Sequence, residues 1–201
     1  MSAPEVLITG FGPFPGVAWN PSGWLAQMLA RGHARRVAAA VLPVSWTGAW
    51  GALEPLLESA RPRQVILFGV SGDAEGFCLE QRAYNERAPH IDSDGLAPCD
   101  NRLLPSACDS LDATLPLAPI ASAVVAADIP LTLSSDPGRY LCNAMLFRTL
   151  HWAQGTPTRV GFVHIPHIGQ DAPLTPVQAL TGARLIVETA ISAESAVPAT
   201  A

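Results

Sequence analysis

Short apolar runs alternate with apolar stripes at helical spacing along most of the 201-residue chain. Val6-Leu7-Ile8-Thr9 stops at Gly10 and reads as a buried strand. Asn20-Pro21 then opens a helix, with an Asn cap and Pro at the first helical position. Trp24, Leu25, Met28 and Leu29 share one face of it, and Gly32 ends it. Residues 37–44 form a second strand, and residues 47–60 a helix with Trp50, Leu53, Leu56 and Leu57 on one face. Residues 64–69 are an unbroken apolar run, the mark of a strand covered on both faces.

Beyond that point the pattern weakens. Residues 77–84 alternate loosely, as an edge strand or extended arm would. Residues 85–119 lose periodicity and fill with Pro, Asp, Ser and Asn; so long a loop is expected to be functional, mobile or a subunit contact. Residues 121–127 read as a strand, and a helix runs from the Cys142 region to about Trp152. Residues 159–166 give the last strand. Thr175-Pro176 repeats the cap-plus-proline start for a final helix carrying Val177, Leu180, Leu185 and Ile186. Strands alternating with helices predict an α/β sandwich with a largely parallel sheet, and residues 1–201 read as one domain without repeats.

Composition narrows the function classes. A net charge of -5 with 12 Lys+Arg lacks the basic footprint of a nucleic-acid binder. No apolar run approaches a membrane span, and Met1-Ser2-Ala3-Pro4-Glu5 lacks the basic region of a signal peptide. A cytoplasmic protein is expected. Cys78, Cys99, Cys108 and Cys142 are sparse for a disulfide scaffold and form no C-x-x-C pair, so they read as free thiols.

The richest chemistry surrounds Ser134-Ser135-Asp136-Pro137-Gly138-Arg139-Tyr140-Leu141-Cys142-Asn143, where turn residues run into a helix. Unpaired N–H groups and the positive dipole end at a helix start favour a thiolate, so Cys142 is placed to be a nucleophile. A buried, inert cysteine is the alternative.

A cysteine nucleophile needs a base. Of the five histidines, His33 follows a helix-ending Gly as a solvated cap residue, and His90 lies in the irregular loop. His151 is nine positions along the Cys142 helix and out of reach. His164 ends a buried strand at the edge where that helix should start, which favours it, with a satisfied core histidine as the alternative. His167 reads as an exposed loop residue. His164-x-x-His167 finds no third ligand at a recognisable spacing, so no metal is expected. Among carboxylates, Glu80 differs from Asp73, Glu75 and Asp92 only in its apolar, strand-like context. The loop Gly10-Phe11-Gly12-Pro13-Phe14-Pro15-Gly16 is not a dinucleotide fingerprint. Its two phenylalanines are either core or the lining of a pocket at the strand end.

Four blocks resemble the pyroglutamyl peptidase I family of cysteine peptidases. They are Thr9-Gly10-Phe11-Gly12-Pro13-Phe14 with Gly16 and Asn20-Pro21-Ser22; Glu80 with Ala83 and Asn85; Ser135-Asp136, Gly138 and Tyr140-Leu141-Cys142-Asn143; and Phe162-Val163-His164-Ile165-Pro166. The resemblance implies a three-layer α/β/α sandwich with a mixed sheet and a Glu80, Cys142, His164 catalytic triad. Substrate contacts would come from Phe11, Phe14, Asn20, Arg87, Tyr140 and Leu141. The implied reaction is removal of an N-terminal pyroglutamyl residue through a thioester, with no cofactor. Family members are often tetramers, so a tetramer or dimer is expected.

The chain departs from the family at Gln81, where Arg is usual, and at Pro137, where Ala is usual. The segment Glu86-Arg87-Ala88-Pro89-His90-Ile91-Asp92 is altered and shortened. The family places an oxyanion-binding arginine there, and Arg87 is the candidate for it. These departures motivate a second reading, a pyroglutamyl-peptide binding module without turnover. A nucleoside phosphorylase-like transferase is a third, by fold analogy, but the Gly10 loop has no basic partners for a phosphate.

Overall fold

The computed structural model describes residues 4–32 and 36–195. His33 and residues 1–3 lie outside them. The elements in order are β1 (Val6–Phe11), α1 (Pro21–Gly32), β2 (Val37–Leu42), α2 (Gly48–Ala60), β3 (Gln64–Val70), β4 (Phe77–Glu80), β5 (Arg82–Tyr84), β6 (Ser110–Asp112), α3 (Leu117–Ala126), β7 (Leu131–Ser134), α4 (Leu141–Ala153), β8 (Arg159–Ile165) and α5 (Pro176–Ser195). Six strands form one sheet in the order β2-β1-β3-β8-β4-β7. β2, β1, β3 and β8 are mutually parallel, β4 runs antiparallel to β8, and β7 runs parallel to β4. β5 and β6 form a separate antiparallel pair.

The central strands bury both faces, which is why they read as unbroken apolar runs. On one face Val6, Ile8, Ile66, Phe68, Val163 and Ile165 pack against α1, α3 and α5. On the other, Leu7, Val65, Leu67, Val160 and Phe162 pack against α2 and α4. The result is the three-layer α/β/α sandwich with a mixed, largely parallel sheet.

Three expectations fail locally. Residues 121–127 are helical: α3 has four alanines in ten residues and buries Ile120 and Val124 one turn apart while Val125 faces out. Alanine is the best helix former, and Pro119 falls in the first turn, where its missing N–H has no helical acceptor to lose. Residues 77–84 are not an edge strand. β4 lies inside the sheet because β7 adds outside it. Residues 85–119 are not featureless either, since they contain β6 and the start of α3.

Asn85 closes that segment on itself. Its buried side chain donates to the carbonyls of Leu104, Ala107 and Cys108 and accepts from the N–H groups of Leu103 and Leu104. Asn143, fully buried in α4, accepts from Tyr84 N–H and donates to the carbonyls of Tyr84 and Glu86, each at 2.8 Å. The loop is thereby tied to the helix that carries Cys142.

Candidate active site

Antiparallel pairing of β4 with β8 sets the first part of the site. Glu80 lies opposite Phe162, so His164, two residues on, is its diagonal neighbour on the same face. A glutamate is long enough to span that diagonal, and Glu80 Oε1 lies 2.7 Å from His164 Nδ1. Both side chains are buried. Nδ1 is committed to Glu80, which leaves Nε2 for the Cys142 sulfur beside it. Burial disfavours the imidazolium, yet the Cys142 thiolate and the Glu80 carboxylate together push His164 up to about 10. Cys142 is half-buried and lines both cavities at the site instead of lying wholly within the core.

Cys142 is the second residue of α4. Tyr140 caps the helix in an extended conformation, its side chain making no hydrogen bond to the first turn, so the dipole end is open to the site. The Cys142 N–H has no hydrogen-bond partner among the described residues, as expected for the first turn of a helix. Gly69 in β3, the register partner of His164, makes room for the sulfur. A Cβ at Gly69 would lie 2.9 Å from Cys142 Sγ and 2.6 Å from the Phe162 ring. Sequence reasoning missed Gly69; its one signal was a glycine inside an apolar strand, which often marks close approach. It also missed Cys78, a second thiol 3.8 Å from Glu80 Oε1. Burial pushes Cys78 up, despite hydrogen bonding to Thr132 and Ser134, so it stays a thiol.

Two cavities meet at Cys142. A small one of about 100 Å³ is walled by Phe11, Phe14, Asn20, Val44, Val70, Tyr140 and Leu141. Phe11 serves as both core and lining, so the two options for the phenylalanines were not exclusive; Phe14 is half-buried. Asn20 shapes this pocket from behind: Nδ2 donates to the Gly12 carbonyl at 3.0 Å, and Oδ1 accepts from the Ser22 N–H and hydroxyl. Ser22 Oγ in turn accepts from Phe11 N–H at 2.9 Å. Gly10 permits this contact, because a Cβ there would lie 2.1 Å from the Ser22 carbonyl oxygen. The larger cavity, about 770 Å³, extends past His164, Glu80 and Cys78. Tyr140 lines both, its ring edge-on to Trp46 and its hydroxyl donating to the Ile91 carbonyl at 3.2 Å.

The structure brings Glu80, His164, Cys142, Phe11, Phe14, Asn20, Tyr140 and Leu141 together, but not Arg87. The Arg87 guanidinium is engaged by Asp100, with Nε 2.9 Å from Oδ1, and lines neither cavity. Its backbone N–H also pairs away from the site, with the Asn101 carbonyl at 2.8 Å. Asp92, equal to Glu80 in the sequence, anchors the loop flanking the pocket. Burial would raise its carboxyl, but the N–H groups of Trp46, Leu96 and Asp94 and the Ser45 hydroxyl hold it below the usual value. His90 and His167 stay outside the triad, and among the described residues no group of three His, Cys, Asp or Glu could hold a metal.

Comparison with known proteins identifies the family and matches the fold. Residues 4–198 match the family described as pyroglutamyl peptidase. The pyrrolidone-carboxylate peptidase of Gloeobacter violaceus is 35% identical over 179 residues, 87% of each chain. That of Thermococcus litoralis is 37% identical over 169 residues, 81% of this chain and 76% of the relative. The solved structure of the Thermococcus litoralis pyrrolidone carboxyl peptidase has a TM-score of 0.86 at 30% identity and covers 94% of both chains. A variant of the Pyrococcus furiosus pyrrolidone carboxyl peptidase also gives a TM-score of 0.86 at 30% identity, with 94% and 98% coverage. With the match running through nearly all the described residues, the chain belongs to the pyroglutamyl peptidase family.

Proposed function

We propose that this cysteine peptidase removes an N-terminal pyroglutamyl residue from peptides, with Cys142 as nucleophile, His164 as acid and base, and Glu80 as its orienting carboxylate. The observation that carries the assignment is His164, held between the Glu80 carboxylate and the Cys142 sulfur at the mouth of a pocket of about 100 Å³. The pyroglutamyl ring is flat, small and uncharged, so a slot walled by Phe11, Phe14, Val44 and Leu141 suits it.

The Cys142 thiolate attacks the carbonyl carbon that joins the ring to the next residue. The oxygen gathers negative charge beside the unpaired Cys142 N–H at the positive end of α4. The His164 imidazolium gives its proton to the leaving nitrogen, the C–N bond breaks, and a thioester remains. Neutral His164 then takes a proton from water, whose oxygen attacks the thioester; pyroglutamate leaves and the thiolate–imidazolium pair is restored. Glu80 keeps the ring in one tautomer and stabilises its charged form. With Arg87 engaged elsewhere, oxyanion stabilisation rests on backbone donors. Four free thiols and the absence, among the described residues, of a helix long and apolar enough to cross a membrane are compatible with a cytoplasmic setting.

Hydrolysis of a pyroglutamyl aminocoumarin amide tests the proposal. Wild-type protein should turn over and iodoacetamide should stop it, while Cys142→Ala should fold normally and be inactive. A folded, reduced wild type that binds the amide without turnover would instead establish the binding-module reading, and activity retained in Cys142→Ala would remove Cys142 from its role.

A further inference from the structure

We infer that the large cleft beyond His164 receives the leaving peptide, and that Asp73 and Glu75 on its wall favour substrates with Arg or Lys just after the pyroglutamyl residue. The inference rests on the hydrolytic reading above. His164 has to protonate the leaving nitrogen, so the leaving peptide must lie on its side of Cys142. His164 lines the cleft of about 770 Å³ and not the small apolar pocket. Val70, Tyr140 and Cys142 belong to both cavities, so the scissile bond sits at their junction with the ring on one side and the peptide on the other.

The charge of that cleft is one-sided. Asp73, Glu75, Glu80 and Asp136 line it, and no arginine among the described residues does. Glu80 is matched by His164, and Asp136 Oδ1 accepts from Arg139 Nη1 at 2.5 Å. Asp73 and Glu75, on the exposed turn after β3, have no basic partner among the described residues. A second feature also calls for a donor: Glu80 Oε2 is buried on this cleft with no hydrogen-bond partner among the described residues. Peptide N–H groups, guanidinium or ammonium supply donors and positive charge, where a carboxylate side chain would meet like charge at Asp73 and Glu75.

Three peptides differing only in the residue after pyroglutamate, Arg, Ala or Glu, read this preference. Wild-type kcat/KM should favour Arg over Glu by about ten-fold at low salt, and the ratio should fall toward one in about 1 M salt, where screening reaches about 3 Å. Asp73→Asn combined with Glu75→Gln should collapse the same ratio at low salt. Equal rates for the three peptides in wild type, or a preference that survives the double substitution, would overturn the inference while pyroglutamyl hydrolysis itself stands. Loss of all pyroglutamyl hydrolysis would strike the reading beneath it. In that case the relative affinity of Cys142→Ala for the three peptides, by calorimetry, still reads the cleft: Arg over Glu upholds its charge preference and parity refutes it.

Discussion

The ionisation of His164 has a consequence that can be measured directly. Its ordinary value is 6.5, and its neighbours hold it up to about 10. A raised folded-state value means that its contribution to stability is fully present below 6.5 and is lost as pH rises through about 10. The alkaline limb of kcat should fall in the same range, because the proton donor disappears there. Cys142 is the largest cause acting upward, ahead of Glu80. Following the imidazole resonances by NMR in Cys142→Ala should therefore show the midpoint moving back toward 6.5. A midpoint left near 10 would mean that Glu80 alone holds the proton and that the sulfur does not face the ring. Local residue chemistry made Cys142 and His164 legible in the sequence, since a cysteine at a helix start and a histidine at a strand end need only local geometry. Glu80 was not separable from Asp73, Glu75 and Asp92 without the β4–β8 register, which no local pattern contains.

Elements whose hydrophobic period is clean were legible, and those whose hydrogen bonds go to side chains were not. β1, β3, β8 and α1 follow their patterns to within a residue or two, and α5 starts where its cap-plus-proline signal places it. The stretch from Asn85 to Cys108 has no period, and several of its backbone groups bond to the side chains of Asn85, Asn143 and Asp92 in place of a ladder. Asn143→Ala should leave Tyr84 N–H and the Tyr84 and Glu86 carbonyls without their partner, at a cost of about 3 kcal/mol. Urea unfolding would give that loss, and hydrogen exchange should quicken in residues 85–108 more than in α5. A change below about 0.5 kcal/mol with exchange unaltered would show that water replaces Asn143 at no cost. The same tether fixes the backbone at Tyr84 and at Glu86, where the altered segment begins, to the helix that carries Cys142.

At the scale of the molecule, the sheet separates two cores with different duties. Ile186 of α5 belongs to the core opposite the site, whereas Leu146 of α4 lies one turn below Cys142 in the core beneath it. Both are fully buried aliphatic side chains. Truncating either to alanine removes similar apolar volume and should cost about 3 kcal/mol. Their effects on turnover should nevertheless diverge. The strands between them are close-packed on both faces, and no described residue of α5 lines either cavity, so Ile186→Ala should lower the unfolding midpoint while kcat below the transition stays near wild type. Leu146→Ala removes the seat of the nucleophile helix, where displacement of the sulfur by a fraction of an ångström alters its alignment with His164 and with the ring pocket. It should lower kcat by about ten-fold as well as stability. Kinetics on both variants at a temperature where each is more than nine-tenths folded, as followed by circular dichroism, distinguishes the outcomes. Equal losses of kcat would mean that strain crosses the sheet and that the two cores act as one. Divergent losses would show that the sandwich confines catalysis to one of its layers, leaving the other free to vary for stability.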